Sequence, residues 1–79
     1  MPTHTSKDFA QELRTLRDRL VTMGGRAEAQ ITLAMTALTD RNDAMARQVI
    51  ERDAEIDRDE SEIDELALQI LATRQPVAS

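Results

Sequence analysis

The sequence has no cysteine, tryptophan or tyrosine, and Phe9 is its one aromatic residue. Without cysteine the chain cannot form a disulfide, use a thiolate nucleophile or ligate zinc through sulfur. Enzymes normally react their substrates in concave pockets rich in apolar and aromatic side chains, and this composition offers little from which to build one. No Ser/His/Asp set or glycine-rich phosphate loop is present either. We therefore expect a protein that is not an enzyme.

Long apolar segments are also missing. There is no apolar stretch of the kind a signal peptide needs, and no run approaches the ~20 apolar residues that cross a bilayer. We therefore expect a cytoplasmic protein without membrane insertion. The net charge is −5. Such an acidic balance disfavours nucleic-acid binding, which depends on neutralising phosphates with lysine and arginine.

The acidic charge is concentrated in one half of the chain. Residues 1–39 carry five basic and four acidic side chains, whereas residues 40–79 carry five basic and eleven acidic ones. The first half is therefore nearly neutral and the second strongly acidic. Because this length corresponds to at most one small domain, we treat residues 1–79 as a single unit.

Apolar residues recur at steps of three and four, which predicts two long amphipathic helices. The first is expected over about residues 6–38, capped by Thr5 or Ser6, with the preceding residues frayed. A turn over 39–43 follows, with Asp40, Asn42 or Asp43 available as the cap of the second helix. That helix is expected over about residues 43–74. A short connection makes the helices antiparallel neighbours. The predicted fold is an all-α hairpin.

Gly24 and Gly25 lie inside the first predicted helix, where each glycine costs about 1 kcal/mol relative to alanine. The apolar spacing continues in phase through the pair. This favours an unbroken helix in which the glycines permit a close helix contact or a slight bend, and the alternative is a break into two helices.

A hairpin of two helices cannot enclose a core, because each helix covers only one side of the other. Apolar residues on both helices therefore call for a third surface: Ala27, Ile31, Leu38, Ile63, Leu66, Ile70 and Leu71. The simplest self-complementary solution is a homodimer with two-fold symmetry that forms a four-helix bundle.

Four carboxylates in the second helix share one stripe that borders the packing seam: Asp53, Asp57, Glu60 and Asp64. At four-residue spacing, Asp53 and Asp57 lie about 6 Å apart at Cβ. Such a pair can share a cation or bridge two metal ions, as in the carboxylate sites of helical bundles. Glu60 and Asp64 are weaker candidates for the same site. The plain alternative is a solvated run of charge.

The sequence resembles the PhoU family, the accessory and regulatory proteins of bacterial phosphate-specific transport. The resemblance extends from His4 to Ser79 and depends on three stretches in their order and separation: Thr22-Met23-Gly24-Gly25, Ala46-Arg47-Gln48-Val49-Ile50-Glu51-Arg52-Asp53 and Arg74-Gln75-Pro76-Val77-Ala78-Ser79. It implies a chain about three times longer that folds as two three-helix bundles. The present chain then corresponds to an N-terminal fragment containing the first two helices.

The resemblance also implies a metal site and a set of partners. Asp53 and Asp57 match the family's Asp-x-x-x-Asp motif, which is associated with clusters of iron or zinc, whereas the partner motif on a third helix is missing here. The implied function is an adaptor between the phosphate transporter ATPase and a sensor histidine kinase, located at the inner membrane through those partners. The alternative is a helical oligomerisation module or truncated fragment without a ligand.

Overall fold

The computed structural model describes the backbone of residues 2–74 and the side chains of residues 7–73. Helix α1 spans Pro2–Asp40 and helix α2 spans Asp43–Arg74. Side chains early in α1 pair with side chains late in α2, as in the contact between Arg19 and Glu62, so the helices are antiparallel. The predicted all-α hairpin is confirmed.

Helix α1 begins at Pro2, four residues earlier than the predicted start at about residue 6. Proline is favoured at the first helical position, because its missing N–H has no acceptor there and its φ angle already suits a helix. The side chains of His4, Thr5 and Ser6 lie outside the described side chains, and Pro76 lies outside the described residues.

The turn consists of Arg41 and Asn42 alone. Arg41 has a left-handed φ of 51°, and the amide of Asn42 donates to the carbonyl of Ala37 at 2.9 Å. This is the Schellman arrangement that closes many helix C-termini, usually with glycine at the left-handed position. The Asn42 side-chain oxygen then accepts from the amide of Met45 at 3.0 Å. Asn42 is therefore the cap of α2, among the three candidates that the sequence left open.

Helix α1 runs unbroken through Gly24 and Gly25, which confirms the favoured continuous helix. The expected close contact at this point is wrong within the hairpin. A Cβ atom built on either glycine meets nothing within 4 Å. The two glycines therefore destabilise α1 relative to alanine, and no closer packing against α2 compensates for this.

The hairpin measures 60 × 20 × 14 Å, so it is one helix thick. Only Ala37, Ile63 and Ile70 are buried among the described side chains. Half-buried residues complete the seam, among them Leu16, Met23, Ala27, Val49, Ile56 and Leu66. The expectation that Ile63 and Ile70 of α2 need a third surface is therefore wrong, because the hairpin itself already buries both side chains against α1.

Candidate functional site: the open face of the hairpin

One broad face of the hairpin carries the ion pairs that join the helices. Arg26 Nη1 donates to both carboxylate oxygens of Asp59, at 2.6 and 2.7 Å. Arg19 approaches Glu62 at 3.4 Å. We call this side, with Arg19, Arg26, Asp59 and Glu62, the ion-pair face.

Asp59 is the better shielded carboxylate of the two pairs, with a side-chain exposure of 16% compared with 55% for Glu62. The hydrogen bond from Arg26 to Asp59 and the charge of that carboxylate raise the pKa of Arg26 above its usual value. The guanidinium is charged at any physiological pH in either case. The pair therefore acts as a positional link between the helices and not as a titrating group.

Gln30 makes a third link between the helices. Its Nε2 donates to the backbone carbonyl of Val49 at 2.7 Å, whereas its Oε1 has no hydrogen-bond partner within the described part of the chain. Because the acceptor is a backbone atom, this bond fixes the height of α1 against α2 regardless of the side chain at position 49. Together with the two ion pairs, it sets the register of the hairpin.

The opposite broad face is apolar and uncovered on α1. Leu13, Leu20, Ile31 and Leu38 recur at steps of seven and eleven, which keeps them on one side of the helix. Their exposed fractions are 45%, 44%, 66% and 74%, respectively. This row lies more than 100° around α1 from Arg26, so it belongs to the face opposite the ion pairs.

Helix α2 contributes two rows at heptad spacing to the same face, Ala46-Asp53-Glu60 and Ile50-Asp57-Asp64-Leu71. Each row is apolar near the turn and acidic in its middle. Ile50 and Leu71 are 73% and 62% exposed. We call the combined surface the open face, and it consists of Leu13, Leu20, Ile31, Leu38, Ala46, Ile50, Asp53, Asp57, Glu60, Asp64 and Leu71.

A groove of about 500 Å³ lies on the open face beside the turn. Its walls include Leu38 from α1, and Ala46 and Ile50 from α2. This shared lining shows that the leucine row of α1 and the two rows of α2 lie on one side of the hairpin. The groove is a shallow apolar depression suited to a protruding aliphatic side chain.

The structure places the four carboxylates of the sequence-predicted site together on the open face, and all four are exposed. No group of three or more His, Cys, Asp or Glu side chains in the described part of the chain is arranged to hold a metal ion. Asp53 and Asp57 are therefore not joined by a third such side chain in the described residues.

The sequence reasoning missed Asp59 and its partner Arg26. Arg47, Arg52 and Arg58 of α2 form no ion pair with another described residue. The available signal was position. Asp59 lies four residues before Ile63 and three after Ile56, both on the seam, so its carboxylate faces α1 and not its neighbours on α2.

No helix in the described range is long and apolar enough to cross a membrane. The arrangement is that of a helical-bundle element with one uncovered face, whose surface features suit protein contacts more than small-molecule chemistry. The sequence matches the PhoU domain over residues 20–79. The chain belongs to the PhoU domain family.

Individual relatives agree with this assignment. The chain is 43% identical over 76 residues to the phosphate-specific transport system accessory protein PhoU of Edwardsiella tarda, covering 96% of this chain and 31% of that protein. Identity to the PhoU homolog of Pseudomonas putida is 45%, covering 96% of this chain and 30% of that protein.

A third relative, the PhoU protein of Escherichia coli (strain K12), is 41% identical and is covered over 32% of its length by 96% of this chain. The chain thus spans about a third of the length of the curated relatives it matches. No solved structure matches the chain.

Proposed function

We propose that the chain acts as an accessory protein of the phosphate-specific transport system, or as part of one, and that it has no catalytic activity of its own. The observation that carries this proposal is the identity of 41–45% with proteins of that name along 96% of the chain. The open face supports it, because an accessory protein must present a surface for other proteins to cover.

In this role the open face binds protein partners on the cytoplasmic side of the inner membrane. Its apolar rows supply the contact area, since burying apolar surface contributes about 25 cal/mol per Å². Its carboxylates confer selectivity, because a partner with basic residues at the matching positions is attracted and an acidic one is repelled. The proposed partners are the transporter ATPase and the sensor histidine kinase.

A binding experiment tests this role. The purified chain is titrated against the transporter ATPase and, separately, against the cytoplasmic part of the kinase. Binding is expected to at least one of them and to be lost in Leu20→Glu, which places a charge in the apolar row. Ala54→Glu is the matched control, since Ala54 is exposed on α2 outside the open face.

Wild-type binding to neither protein contradicts the adaptor role. Equal loss in both variants contradicts the assignment of the open face as the binding surface. Ala54→Glu separates a local effect from a general effect of charge, because it adds the same charge at an exposed helical position outside the open face.

We also propose that Asp53 and Asp57 contribute half of a site for iron or zinc. The two carboxylates fit one edge of such a site, because hard and borderline cations accept carboxylate oxygens. They do not complete it, so further donors must come from a surface that covers the open face. When bound, the cation would crosslink two helices through carboxylates.

Titration calorimetry with Zn²⁺ and with Fe³⁺ tests the metal site on the wild type and on Asp53→Ala/Asp57→Ala. Because the chain alone supplies only part of the site, a weak heat of binding that disappears in the double variant is expected. A control, Glu51→Ala/Glu55→Ala, removes two other carboxylates at the same spacing. Identical heats for the wild type and the Asp53→Ala/Asp57→Ala variant would end the metal proposal.

A further inference from the structure

We draw no further inference here: the strongest candidate, the apolar groove beside the turn on the open face, carries none, because nothing in the structure shows what covers it and the chain spans only about a third of the length of its relatives.

Discussion

Arg26 on α1 holds the Asp59 carboxylate on α2 through a single nitrogen, with Nη1 at 2.6 and 2.7 Å from the two oxygens. The contact joins residues 33 positions apart in the chain and sits directly after the glycine pair. On this face of the hairpin, charged side chains of the two helices pair with each other. The opposite face carries the exposed apolar side chains and is left uncovered.

Removing the Arg26–Asp59 contact should lower stability more than removing Arg19–Glu62. Asp59 is the most shielded of the four side chains, with 16% exposure, and less shielding by water strengthens a charge pair. Double-mutant cycles to alanine, followed by urea unfolding, measure both couplings. Both should shrink in high salt. A larger coupling for Arg19 and Glu62 would contradict the shielding argument.

Gly25→Ala should stabilise the hairpin by about 1 kcal/mol, because alanine is the better helix former and its methyl group meets no neighbour. Urea unfolding followed by circular dichroism measures the change. The mirror control is Ala29→Gly, at another exposed position of α1, which should destabilise by a similar amount. A destabilising Gly25→Ala would indicate a neighbour that the hairpin does not contain.

Arg41→Gly should raise the free energy of unfolding by about 1 kcal/mol, since a left-handed φ of 51° is strained for any residue with a Cβ atom. Thermal unfolding measures it. The neighbouring change Asn42→Ala has the opposite expected sign and a loss of about 1 kcal/mol, because it removes the cap of α2. Equal signs for the two variants would contradict the assigned turn.

Ile63→Ala should destabilise the chain by about 2 kcal/mol or more, because this side chain is only 8% exposed and its loss leaves a gap in the seam. Ile50→Ala makes the same chemical change at a side chain that is 73% exposed, and it should stay within about 0.5 kcal/mol. The comparison is made by urea unfolding of dilute protein. Similar costs at the two positions would mean that α2 is rotated from the described orientation.

The hairpin was predictable because its signals are local. Apolar spacing specifies the two helices, and a polar stretch of only five residues makes them antiparallel neighbours. The exact cap, Asn42, was not predictable, because Asp40 and Asp43 offer equivalent oxygen acceptors and the choice depends on how α1 ends. The start at Pro2 was missed because weak helix formers around it suggested fraying.

The rotation of each helix about its axis was harder to predict. Ile63 and Ile70 were expected to need a third surface, yet the hairpin buries them, because the seam is wide enough to take both. Asp59 was overlooked because it reads as one acid among nine in residues 51–65. An ion pair between helices depends on how far one helix is shifted along the other. The charge pattern of a single helix does not give that shift.

We expect the open face to be the surface at which a protein partner binds. Thiol labelling of Ile31→Cys tests it most directly, with Ala54→Cys as the exposed control outside that face, each in dilute protein with and without the transporter ATPase. Labelling of Ile31→Cys should slow by about tenfold or more when the partner is bound, with labelling of Ala54→Cys unchanged. A bound partner that leaves Ile31→Cys as reactive as before, or that protects Ala54→Cys instead, would contradict binding at the open face.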